Sequence, residues 1–285
     1  MDMCTEIPVD YEAAIASRLA PTMDRSATAK TGRLSGRLAS KLCSYSPTHR
    51  YDRRTAGKDK PNPPKPPQTP CKLRPLPPKQ EVGMSASILY IHGFNSAPAS
   101  TKARQLIDVM TRLGLADRLQ VPALHHHPRE AMAQLEQAIT QLGRPLLVGS
   151  SLGGYYATHL AERHGLKALL INPAVSPHRM FDGYLGPQKN LYTDETWDLT
   201  LDHVTTLAEL EVPAPRDPQR FQVWLQTGDE TLDYRHAQQY YRACALRIQA
   251  GGDHSFQGFA QQLPALLSFA GIGADLYQAI DFTSL

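Results

Sequence analysis

The chain has 285 residues, a formal net charge of +3, and 41% apolar against 20% charged residues, room for one large domain or two small ones. No run approaches the roughly 18 apolar residues that span a bilayer, and the N-terminus shows no apolar signal core, so the expected location is the cytoplasm. Cys4, Cys43, Cys71 and Cys244 have no metal-ligand spacing, so neither a metal site nor a disulfide framework is expected.

The average hides an internal contrast. Residues 1–83 hold 15 Lys and Arg against 8 Asp and Glu, while the rest hold 15 against 19. The same segment carries 12 of the 23 prolines, crowded between Lys60 and Pro78, and its only helical period is a short one around Tyr11–Leu19. So little apolar surface does not offset the entropy of ordering. Residues 1–83 are therefore expected to be a disordered, partly polyproline arm, and 84–285 a single domain. The arm's positive charge suggests weak contact with nucleic acid or acidic surfaces. The plainer expectation, a solvated tail, is preferred here. Met84, directly before the first credible strand, is an alternative start.

From Met84 onward short apolar runs alternate with helical patterns. Ile88–Ile91 reads as a buried strand. Ala103, Leu106, Ile107, Met110 and Leu113 recur at helical spacing before Gly114. A weak strand near Leu119–Val121 precedes a second apolar stripe through Met132, Leu135, Ile139 and Leu142. Pro145–Val148 is a strand that turns at Gly149–Gly154 into a helix ending near His164. Lys167–Ile171, Phe221–Gln226 and Leu246–Gln249 are further strands, the last two separated by a helix over Tyr234–Ala243. A final helix spans about Phe256–Phe269. The alternation predicts an α/β fold with a mainly parallel sheet covered on both faces, its site beyond the carboxyl ends of the strands. Residues 173–220, rich in proline, interrupt the pattern and are expected to form a small cap.

Gly149-Ser150-Ser151-Leu152-Gly153 matches G-x-S-x-G, in which a serine occupies a tight strand-to-helix turn. The pattern is short, but here a strand precedes it and a helix follows, with a helix N-terminus to stabilise an oxyanion. Ser151 is thus the candidate nucleophile. A serine needs a base and the base an orienting acid, in the chain order Ser, acid, His. His254, in a glycine loop past a strand end, is preferred over His236, which falls within a helix. Asp229 stands nearest its strand end and is the preferred acid, with Asp233 the main competitor and Glu230 behind it. Asp253 is expected to shape the histidine loop, and His92 to buttress the first loop. The backbone N–H groups of Phe94 and Leu152 are the expected oxyanion donors. His125-His126-His127 point in divergent directions as neighbours, so a loop on the substrate side is preferred to a metal site. Tyr155 and Tyr156 are expected in the core rather than in an acyl pocket.

The set HGFNS…K, VGSSLGGYYAT, INPAV, QTGDE and GGDH resembles the YqiA-type esterase family of small bacterial α/β hydrolases. The likeness runs from about Ile88 to Phe269 and leaves residues 1–83 without a counterpart. It implies an α/β-hydrolase fold and hydrolysis of short-chain acyl esters and thioesters; for such a reaction neither a cofactor nor a metal is expected. The family triad carried across falls on Ser151, Asp229 and His254. An acyltransferase using the same triad and a binding protein on a hydrolase scaffold are the competing readings.

Overall fold

The computed structural model describes residues 86–285, which all fall within one compact unit. The expected arm at 1–83, its short helix and Met84 lie outside the described residues. Eight strands and eight α-helices follow in chain order: β1 Ile88–Ile91, α1 Thr101–Arg112, β2 Leu119–Gln120, α2 Pro128–Leu142, β3 Leu146–Ser150, α3 Leu152–His164, β4 Ala168–Ile171, α4 His178–Phe181, β5 Gly186–Lys189, β6 Thr196–Leu199, α5 Leu201–Glu209, β7 Phe221–Gln226, α6 Tyr234–Tyr240, β8 Ala245–Gln249, α7 Phe259–Ala270 and α8 Ala274–Tyr277. Six strands form one parallel sheet in the order β2-β1-β3-β4-β7-β8. Among the described residues no helix is long and apolar enough to cross a membrane.

Period-two alternation splits each central strand between two cores. Leu89, Ile91, Leu147 and Leu170 pack with α2, α3 and α6 on one face. Ile88, Tyr90, Val148 and Leu169 pack with α1 and α7 on the other. β1, β3 and β4 are buried along their whole length, as a two-sided parallel sheet requires. The sheet therefore matches the fold class expected from the alternation. β8 departs from the expectation of strands apolar throughout. With a neighbour on one side only, it leaves every residue exposed or half-exposed, and Arg247 lies over the Trp224 ring. The helix expected to be final, α7, begins at Phe259 rather than Phe256, because Phe256 and Gly258 both adopt positive φ, and the short α8 follows it.

The stretch between β4 and β7 folds as α4, an antiparallel hairpin β5–β6 and α5. It returns to the sheet through Arg220, which donates to the carbonyls of Ala161 and Leu166 at the end of α3 and to Glu162 Oε1 at 3.1 Å. The Glu162 side chain is only 4% exposed, and Arg220 is the better-buried of its two partners, the exposed Arg216 guanidinium lying 3.5 Å from Oε2. Removing Arg220 leaves that buried carboxylate with only the exposed Arg216 and the Ala161 and Leu166 carbonyls without their donor. Arg220→Met should therefore lower unfolding free energy by about 1–3 kcal/mol, the cost of buried groups left without a donor, read as a drop in the urea midpoint at unchanged m-value.

Candidate active site

β1 and β3 are neighbours, while their following connections depart to opposite sides of the sheet. Such a switch point opens a crevice at the carboxyl edge, and Ser151 sits there between the end of β3 and the start of α3. Its φ of 55° and ψ of −121° put a non-glycine residue where the backbone is strained by about 1–3 kcal/mol. The turn closes because its neighbours lack side chains. A Cβ on Gly149 would run into the backbone of Gly153, and one on Gly153 into the carbonyl of Ile91. Ser151 N–H donates to Ile171 O at 3.0 Å, and Ser151 O accepts from Gly154 and Ala174.

His254 Nε2 lies 3.0 Å from Ser151 Oγ, and its Nδ1 lies 3.0 and 2.9 Å from the two carboxylate oxygens of Asp229. A carboxylate accepts, so Nδ1 carries the proton and Nε2 is left to accept from the serine hydroxyl. The Asp229 side chain is 2% exposed and its Oδ1 also accepts from the N–H groups of Thr231 and Leu232. The structure thus brings together the three residues singled out from sequence.

The competitors are engaged elsewhere. Asp233 caps α6 and clamps Arg235, whose guanidinium holds its carboxyl down at about 2. Glu230 accepts the backbone N–H of His254 at 3.0 Å, a brace for the loop. His236 is exposed on α6. Asp253 accepts from Gln257 and from Asn172 within the histidine loop.

Two polar side chains that the sequence reading missed hold this loop. Gln226 Oε1 accepts from Asp253 and Gln257 N–H, while its Nε2 donates to Gln249 and to Gln257 O. Asn172 donates to the carbonyls of Asp253 and His254 and accepts from Gln226 N–H. Both are buried polar residues at strand ends, a signal that periodicity alone does not separate from a strand boundary.

The loop after β1 faces the serine closely. A Cβ on Gly93 would sit 3.2 Å from Ser151 Cβ, so Phe94 follows directly beside the nucleophile. Leu152 opens α3, where the first N–H groups have no intrahelical acceptor. His92 Nδ1 bonds Gly93 O, and its Nε2 accepts from Leu124 N–H at 3.1 Å. It buttresses the loop as a neutral ring, and burial pushes its pKa down.

The same loop is tied to the hairpin. Asn95 Oδ1 accepts from Trp197 Nε1, its amide donates to Gln188, its carbonyl accepts from Leu191, and Ser96 O accepts from Asn190. His126 stacks on Trp197 at 4.8 Å between ring centroids, and His203 stacks on the other rings. His127 caps α2 and reaches Asp202. The histidine triplet thus joins the body to the hairpin and α5. Tyr155 and Tyr156 lie in the core, Tyr155 donating to Leu207 O.

Ser151 and His254 open onto a cavity of about 130 Å³. Phe94 and Leu152 line it from the sheet side, and Pro177, Met180, Phe181 and Tyr184 line it from the segment after β4.

Residues 87–271 match the model of an uncharacterised protein family, UPF0227. A UPF0227 protein of Shewanella woodyi is 31% identical over 196 residues, covering 64% of this chain and 98% of its own. One from Citrobacter koseri is 24% identical, covering 65% and 99%. Among solved structures, a candidate hydrolase from Agrobacterium vitis S4 aligns with a TM-score of 0.53 at 16% identity, over 65% of this chain and 87% of its own. Alpha/beta hydrolase domain-containing protein 10 from mouse aligns with 0.51 at 13%, over 65% and 88%. The fold is that of the α/β hydrolases.

Two outcomes test this geometry. Gly153→Ala should destabilise the domain by at least about 1–3 kcal/mol, since the clash is with backbone, measured by urea unfolding. Burial also lowers the pKa of His126 and His203, as of His92. These rings bind protons less readily in the folded chain than in the unfolded one, which takes them up near about 6.5. Stability should therefore hold above that pH and decline as it falls further, read as a lower urea midpoint at pH 5.5 than at 7.5.

Proposed function

The chain belongs to the uncharacterised protein family UPF0227, and on that premise we propose that it is a serine esterase acting on short-chain acyl esters. The observation that supports this most is the unbroken run of hydrogen bonds from Ser151 Oγ through His254 to the buried Asp229. The hydrolase fold of its structural neighbours agrees with it.

In this reading His254 Nε2 takes the hydroxyl proton as Ser151 Oγ attacks the acyl carbon. The oxyanion that forms is held by the N–H groups of Phe94 and Leu152, at the positive end of α3. The tetrahedral intermediate collapses, His254 passes its proton to the leaving alcohol, and an acyl-serine remains. Water, deprotonated by the same imidazole, adds to the acyl carbon; the acid leaves and Ser151 regains its proton. Asp229 keeps the imidazole in the tautomer that accepts from serine and stabilises its charged form. The small cavity and its apolar wall suit a short acyl chain, and a thioester is open to the same attack.

Ser151→Ala should lower kcat for an aryl butyrate by about four orders of magnitude or more, with the far-UV spectrum unchanged. A fluorophosphonate should add once to the wild type, at Ser151, and not to the variant. No adduct on folded wild type would sink the esterase reading in favour of a binding protein on a hydrolase scaffold.

A further inference from the structure

We propose that Asn172 is a positioning residue that sets the distance between Ser151 and His254. The inference rests on the esterase reading and deepens it by naming what holds the base in line with the nucleophile.

The segment after β4 is fixed to the serine turn on both sides of Asn172. Ser151 N–H donates to Ile171 O, and Ala174 N–H donates to Ser151 O, each at 3.0 Å. Between them, Pro173 packs on α3 so closely that a Cβ on Gly154 would sit 2.7 Å from the Pro173 Cβ. Asn172 N–H donates to Trp224 O at 2.9 Å, which ties the same point to β7. The backbone of Asn172 is therefore carried with the nucleophile.

Its side chain reaches the other way. The amide of Asn172 donates to the carbonyls of Asp253 at 3.0 Å and of His254 at 3.2 Å. Those carbonyls belong to the two peptide planes that flank the His254 Cα. Planar peptides leave only φ and ψ free between them. Holding both planes thus fixes the direction of Cβ, and with it the approach of the imidazole to Ser151 Oγ, 3.0 Å away. Gln226 and Glu230 brace the same loop from the end of β7 and the loop that carries Asp229, and Lys102 holds Ser255 from α1. Gln226 and Glu230 set the base against the acid; Asn172 sets it against the serine.

The position suits asparagine. Its φ of 40° is left-handed, a region that asparagine and glycine enter more readily than other residues. The residue is 2% exposed, and its Oδ1 accepts from Gln226 N–H at 3.0 Å. That N–H can only donate, which fixes the orientation of the amide. An aspartate of the same shape keeps this acceptor but turns an oxygen toward the two carbonyls. Burial and those carbonyls favour its protonated form, which can donate again to one of them.

Asn172→Asp therefore tests the amide donor with the shape of the side chain retained. For an aryl butyrate at about pH 8.5 its kcat should fall by about a hundredfold, the scale of a misplacement of about 1 Å. KM should stay within about threefold, and the rate of fluorophosphonate addition to Ser151 should fall in step with kcat. The variant-to-wild-type ratio of kcat should then rise as the pH drops to about 6 and the carboxyl takes up its proton. Taking the ratio removes the titration of His254 that both proteins share. Asn172→Gly, which keeps the left-handed backbone but removes the amide, should lose kcat at every pH.

A folded Asp variant with wild-type kcat overturns the proposal, as does a loss that is equal at every pH or that falls on KM. If the Asp variant does not fold, the Gly variant decides: lowered kcat at unchanged KM upholds the proposal, and wild-type kcat overturns it. Failure of both to fold makes Asn172 a residue of the fold alone and overturns it too. A wild type that forms no phosphonate adduct and turns over no ester removes the esterase reading, and this role with it. An adduct on wild type that forms as fast on both variants sinks the role of Asn172 and leaves the esterase reading standing.

Discussion

Three backbone segments meet at the carboxyl edge of the sheet with no room for a Cβ between them. Gly153 lies under the carbonyl of Ile91, Gly149 against Gly153, and Gly93 against Ser151. This contact sets the spacing of β1, β3 and α3, and from it follow the forced φ of Ser151 and the nearness of the Phe94 loop. The strain of one residue at positive φ is small beside the burial of the flanking strands, whose central residues are sealed on both faces. The core therefore holds the serine out at the crevice, and its hydroxyl is not free to sink back.

The sheet, its order of elements and the elbow were legible because each is local. A four-residue apolar run, a glycine pattern and a helical period all sit within a dozen residues. The family resemblance drawn from linked motifs agrees with the match over residues 87–271. Asp229 was legible by its position at a strand end, but what separates it from Asp233 was not. That depends on Arg235, two residues on, which occupies Asp233 at the start of α6. Helix ends and the exposed edge strand β8 were also misjudged, since a backbone kink at Phe256 and the lack of a second neighbour leave no periodic trace.

The support of the histidine loop was the least legible part. Gln226 and Asn172 come from different strand ends and reach Asp253 across 27 and 81 positions. Every hydrogen-bonding atom of the Gln226 amide is used within that network. Such a network fixes the imidazole before any ligand arrives, so little reorganisation is left for the chemical step. The histidine triplet illustrates the converse. A conspicuous run in the sequence turns out to cap α2, stack on Trp197 and close a gap between body and hairpin.

Asn95 gives the hairpin a hold on the site that is mechanical as well as steric. Its side chain and carbonyl bond to Trp197, Gln188 and Leu191, and it directly follows Phe94. Any outward shift of the hairpin to admit a bulky ligand pulls on the residue next to the proposed oxyanion donor. In the esterase reading, an oversized ester would then bind and still react poorly, because the act of admitting it detunes the donor. Selection by size would be written into turnover, with affinity left nearly blind to it.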